Sequence, residues 1–202
     1  MSSLKFTLKA WPVIAAATIG LCYLTQLVAG WFGIELPDQQ NIDIVRKCGQ
    51  HAFDSLKNFG VFALLCAQVI ILLPAIEEIV FRWLLFRLPL RIVRKRGGET
   101  PPPQSITPMS QRTVPPASLQ NVAQSGRGRL APALSAFFSS ALFSAAHYLA
   151  QPWPDAAFVA LFFFGLAQCW LYCKTDRIWC AMLNHGLFNL TNLVLLFILP
   201  EA

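Results

Sequence analysis

The chain has 202 residues, 55% of them hydrophobic and only 13% charged, with a mean hydropathy of +0.52. So small a charged fraction excludes an ordinary soluble domain. The net charge of +6 does not point to nucleic acid, because eight of the sixteen Lys and Arg lie between Arg87 and Arg129, a pattern expected of a cytoplasmic loop beside anionic lipid.

The apolar residues come in long runs, and a spanning helix needs about 20 of them. Lipid tolerates no irregular backbone, and no alternating barrel pattern appears, so the expected fold is an all-α polytopic membrane protein of about five transmembrane helices. The first span, within residues 1–33, follows Lys5 and Lys9 and covers Trp11 to Phe32. Val28-Ala29-Gly30 weakly resembles a signal-peptide cleavage site, but the run is long for a signal peptide and an uncleaved helix is expected. Residues 34–58 carry nearly balanced charge and read as an extracytoplasmic loop or short surface helix.

The second span runs from Phe59 to about Phe86, its apolar character interrupted by Pro74 and Glu77-Glu78. The basic run Arg87, Arg91, Arg94, Lys95, Arg96 comes next. Residues 97–129, rich in Pro, Ser, Gln and Gly, have too little apolar content to bury a core and read as a flexible linker. The third span covers about Leu130 to Ala150, with a tight exit turn at Pro152 and Pro154. The fourth covers Ala156 to Cys173 and the fifth Ile178 to Leu199, joined by Lys174–Arg177. Residues 59–199 are then one catalytic membrane domain interrupted by the 87–129 loop. Placing every basic cluster inside gives a cytoplasmic N-terminus. The six cysteines fit no zinc or disulfide spacing and read as small apolar fillers.

Ionisable groups inside a span are costly, by about 3 kcal/mol at the helix centre, and a span that keeps them usually uses them. Glu78 and Arg82 are four residues apart and can pair on one helix face. Glu77 lies about 100° around the helix from Glu78, faces the bundle interior, and has the desolvated setting of a general base. His147 lies one turn after Phe143. His185 and Asn189 share a face of the last span, where two donors could hold an oxyanion. The set permits hydrolysis: beside the Glu78–Arg82 pair, Glu77 and His147 activate water, and His185 and Asn189 stabilise the tetrahedral intermediate. Ser139, Ser140 and Ser144 read as packing residues, Asn184 and Asn192 as interhelical glue, and His51 has no assigned role.

These residues resemble the three signatures of the CAAX-processing and bacteriocin-processing (CPBP, or ABI) protease family: Glu77-Glu78-x-x-x-Arg82, Phe143-x-x-x-His147 and His185-x-x-x-Asn189, in that order. Ile178-Trp179 and Gly165 add to the likeness, which covers about residues 60–90 and 130–195. The resemblance implies a four-helix catalytic core, a glutamate-type intramembrane endopeptidase without metal or other cofactor, and the same residue roles. It implies a membrane-anchored protein or peptide substrate, prenylated at a CAAX end or carrying a C-terminal hydrophobic tail, in a membrane such as the bacterial inner membrane.

Two other readings stay open. Glu77, His147 and His185 could bind zinc, although no His-Glu-x-x-His motif is present. Intramembrane carboxylates and histidines also serve proton relays, so a non-catalytic immunity protein or proton-coupled transporter is the alternative class. One tension is geometric. At 1.5 Å per residue, Glu77 and His185 lie about 10–14 Å from the inner face, and His147 about 25 Å deep. A third span starting after Leu130, a tilt, or a different topology would remove it.

Overall fold

A computed structural model of the protein describes residues 2–34, 40–96, 120–149 and 157–199. Among these residues the regular structure is entirely helical, and five helices are long and apolar enough to cross a membrane. Helix α1 spans Ser3–Trp31, α2 Gln40–Gln50, α6 Gln120–Leu149, α7 Ala157–Thr175 and α8 Ile178–Ile198. Between α2 and α6 lies a continuous helical rod of α3 (Leu56–Ala67), α4 (Leu73–Glu78) and α5 (Leu88–Arg96), joined by two π-helical stretches at Gln68–Leu72 and Ile79–Arg87. The expected second span is therefore longer than Phe59–Phe86.

The first π stretch has a cause in the sequence. Pro74 carries no N–H, so the carbonyl of Ile70 loses the donor that an α-helix would give it. The N–H of Leu73 reaches back five residues to the Gln68 carbonyl, and Val69 O is thereby released as well. One wide turn leaves two carbonyls free to face a neighbour. In the second stretch, two serines of α6 reach carbonyls of the rod. The Ser139 hydroxyl donates to Phe81 O at 2.5 Å and the Ser135 hydroxyl to Phe86 O at 2.8 Å. Of the three serines expected to act as packing residues, Ser139 thus also supplies a hydrogen bond, as does Ser144, donating to Phe158 O at 2.6 Å, while the buried Ser140 hydroxyl has no hydrogen-bond partner among the described residues.

Helix α7 packs on α6 through Gly165, where a Cβ would lie 2.9 Å from the Ser140 Cβ. Helix α1 lies across α7 and α8 and contributes Ile14 and Ala15 to a core with Phe143, Phe164 and Phe188. Phe86, Cys169 and Tyr172 form a second buried cluster. Helix α2 tucks under the last turns of α8, its Gly49 against the Phe197 ring, and Phe197 meets Phe62 edge-on at 5.8 Å. It lies within residues 34–58, expected to hold a loop or a short surface helix.

Several expected charged ends meet at one end of the bundle. Phe6, one residue after Lys5, packs on Trp170 of α7 with ring centroids 5.5 Å apart. Arg87 pairs with Asp176 in the α7–α8 turn and stacks on Tyr172 at 5.1 Å. Helix α6 begins at Gln120, inside the segment read as linker. Residues 97–119, and the exit turn with Pro152 and Pro154, lie outside the described residues.

The register of α6 against the rod reduces the depth mismatch. Ser135, not Leu130, is level with Phe86. Measured from that level, His147 is 12 residues along α6 and Glu77 nine residues along the rod. The third span reaches the Phe86 level later than the sequence suggested, and the two residues come together.

Candidate active site

The site sits where the rod, α6 and α8 face one another. Glu78 ends α4, and Arg82 follows one turn later. Both side chains are fully buried, with Nε 3.1 Å from Oε2. This is the expected i, i+4 pair, although the Nε–H does not aim along the line of a hydrogen bond, and all three guanidinium nitrogens lack a hydrogen-bond partner among the described residues. The guanidinium instead lies over the Phe143 ring, 4.6 Å from its centroid, a contact that suits a desolvated cation.

His185 lies between the two glutamates. Its Nδ1 is 3.0 Å from Glu78 Oε1 and its Nε2 is 3.5 Å from Glu77 Oε2. Only 3% of the side chain is exposed. The ring is walled by Phe164 at 5.0 Å and Phe143 at 5.8 Å, so it cannot turn without displacing an aromatic neighbour. The Nδ1–H donating to Glu78 fixes Nε2 as the nitrogen that faces Glu77.

His147 approaches Glu77 from α6. Its Nδ1–H donates to the Phe143 carbonyl at 2.9 Å, which leaves Nε2 facing Glu77 Oε1 at 3.8 Å. Glu77 therefore shows one oxygen to each histidine, at distances longer than an ordinary hydrogen bond. Glu77 and His147 keep 23% and 32% of their side chains exposed. They form the accessible half of the cluster.

Five of the six expected site residues, Glu77, Glu78, Arg82, His147 and His185, are thus brought together. Asn189 lies one turn beyond His185, and its Nδ2 donates to Val69 O at 2.8 Å. One amide N–H is committed to the π turn and one remains. Asn184 is buried, with neither amide atom hydrogen-bonded among the described residues, so no interhelical bond is seen for it. His51 is exposed and pairs with Asp54 at 2.8 Å. None of the six cysteines forms a disulfide among the described residues. Among the described residues, no group of three or more His, Cys, Asp or Glu is arranged to hold a metal ion.

Two parts of the site escaped the sequence reading. Phe164 walls His185 and stacks on Phe188 at 4.5 Å, and its only signal was its place in the Phe162-Phe163-Phe164 run beside Gly165. The Val69 and Ile70 carbonyls meet α8 through Asn189 and Gly186, and their signal was Pro74, four residues after Ile70.

No curated protein and no solved structure matches the chain. Residues 59–191 match the model of the family described as type II CAAX prenyl endopeptidase Rce1-like. The match spans most of the rod, α6, α7 and most of α8, and includes every residue of the cluster. The chain belongs to the Rce1-like CAAX prenyl endopeptidase family, an integral membrane protein of the protease class.

Proposed function

We propose that this protein is a glutamate-type intramembrane endopeptidase that cuts near the end of a membrane-anchored protein. The observation that carries this reading is the placing of Glu77, its two oxygens facing the Nε2 atoms of His147 and His185 at 3.8 and 3.5 Å. A water held between Glu77 and His147 gives its proton to Glu77 Oε1. The water oxygen forms a bond to the scissile carbonyl carbon, and the carbonyl π electrons move to its oxygen. His185 Nε2–H and the remaining Asn189 N–H stabilise that oxyanion. When the intermediate collapses, the C–N bond breaks and Glu77 returns the proton to the leaving nitrogen.

Glu78 and Arg82 act behind His185. With both ring protons present, the order Arg82, Glu78, His185, Glu77 alternates in charge, which limits the cost of carrying four ionisable groups inside a bilayer. The substrate is a prenylated CAAX end, as the family's description supports, or a C-terminal hydrophobic tail. Gathering α1's start, Arg87 and the α7–α8 turn at one end supports a cytoplasmic placement for that end and for the N-terminus. Residues 59–199 form the catalytic domain.

The test is proteolysis in reconstituted membranes by wild type, Glu77→Ala and His147→Ala, with and without chelator, on membrane-anchored peptides of both kinds. Cleavage lost in both variants and indifferent to chelator is expected, and the peptide cut names the substrate class. Chelator sensitivity restored by zinc would replace the mechanism with a metal-dependent one. Cleavage surviving both substitutions would overturn the residue assignment.

A further inference from the structure

The contact between the π turn and α8 is closer than helices usually make. A Cβ on Gly186 would lie 2.4 Å from Ile70 O, a backbone atom that no rotamer change can move aside. Three residues on, Asn189 donates to Val69 O at 2.8 Å. Both acceptors are carbonyls that the helix has released, Ile70 O because Pro74 has no N–H and Val69 O because Leu73 N–H has turned to Gln68 O. Pro74 lies between the π turn and the glutamates, and the residue before Gly186 is His185.

We infer that Pro74 and Gly186 are positioning residues of this enzyme, which together fix the distance from α8 to the rod and so hold His185 between Glu77 and Glu78; the inference rests on the endopeptidase reading. Pro74 opens the carbonyls on one side. Gly186 lets the α8 backbone come down onto them on the other. Asn189 anchors the approach with a hydrogen bond. The 3.0 and 3.5 Å spacings of His185 to the two carboxylates follow from this depth of contact. A methyl group at position 186 must lift α8 away from Ile70 O, and His185 moves with it.

The test of this device substitutes Gly186 and Pro74. Gly186→Ala in the full chain, reconstituted in vesicles, is expected to lower kcat about 100-fold, the cost of misplacing a reacting group by about 1 Å, with KM unchanged. Ile70→Ala in the same chain is expected to give no rescue, because the obstacle is the carbonyl. Gly20→Ala, where nothing lies within 4 Å, is expected to match wild type. Pro74→Ala returns a donor to Ile70 O without adding bulk, and is expected to lower kcat about 10-fold. It carries the test alone if Gly186→Ala does not fold.

A second readout needs no catalysis. Diethyl pyrocarbonate labelling, read by mass spectrometry, is expected to mark exposed His51 in every variant. His185 is expected to stay protected in wild type and to become labelled in Gly186→Ala and Pro74→Ala. Wild type that cleaves no peptide while His185 still gains label would sink the endopeptidase reading and leave the positioning device standing. Unchanged kcat and a protected His185 in a folded variant would overturn the device, as would rescue by Ile70→Ala.

Discussion

Glu78 is completely buried, 3.0 Å from His185 and 3.1 Å from Arg82, whereas its neighbour Glu77 keeps 23% of its side chain exposed and touches its histidines only at 3.5 and 3.8 Å. One residue of helix, about 100° of rotation, separates a carboxylate locked in an ion pair from one open to a small molecule. A buried charge needs close partners to offset its desolvation, and close partners leave no room for water. A general base needs the reverse. The pair divides two incompatible requirements between two adjacent residues, which is why substitutions at the two positions should fail in different ways.

The largest contrast is between the two Glu→Gln variants. Glu77→Gln is expected to cut cleavage by about 10³-fold, with a stability change within about 0.5 kcal/mol, as for a position with no close partner. Glu78→Gln is expected to lose activity and also about 3–5 kcal/mol of stability, because Arg82 is left as an uncompensated buried charge. Cleavage assays and thermal unfolding of the same preparations read both. Equal stability losses in the two variants would collapse the division of labour.

The histidines repeat the contrast at smaller amplitude. His147→Ala removes a partly exposed ring with one hydrogen bond to its own helix, and is expected to lower cleavage about 10²-fold with less than about 1 kcal/mol of destabilisation. His185→Ala empties a site walled by Phe143 and Phe164 and deprives Glu78 of a partner. It is expected to cost about 2–4 kcal/mol in addition to activity. A His147→Ala chain as unstable as His185→Ala would mean that the outer half is structural too.

Much of this was legible in the sequence for a physical reason. Glu77, Glu78, Arg82, His147 and His185 stand out because a bilayer makes each of them expensive, so their presence in apolar runs announced them, and the Glu78–Arg82 pairing followed from helical spacing alone. What could not be read was how the helices sit against one another. The span boundaries were set by hydropathy, which cannot see that Ser135 rather than Leu130 is level with Phe86, and the depth of His147 was misjudged accordingly. Nor could spacing tell that Pro74 would widen a turn and release Val69 O and Ile70 O, since the consequence appears only when Asn189 and Gly186 arrive from residues more than a hundred positions away. Asn189 illustrates the difference: its type and face suggested an oxyanion donor, and half of its donor capacity is used to hold the rod.

The smallest expected effect comes from a second carboxylate–guanidinium pair, at the end of the bundle. Asp176 occupies the α7–α8 turn with φ of 53°, a left-handed conformation that Asp tolerates better than most residues. Its bond to Arg87 holds its carboxyl below the ordinary value of 3.8. A carboxylate depressed in the folded state stabilises the fold above its unfolded value, and that contribution is lost as pH falls through the lower folded value. Asp176→Asn should therefore melt slightly below wild type at neutral pH, with the gap closing below pH 3.8 and shrinking in high salt, since the side chain is 70% exposed. It is again a carboxylate with a guanidinium, here in the open instead of buried. If Asp176→Asn costs as much as Glu78→Gln, then burial is not what makes the inner pair indispensable.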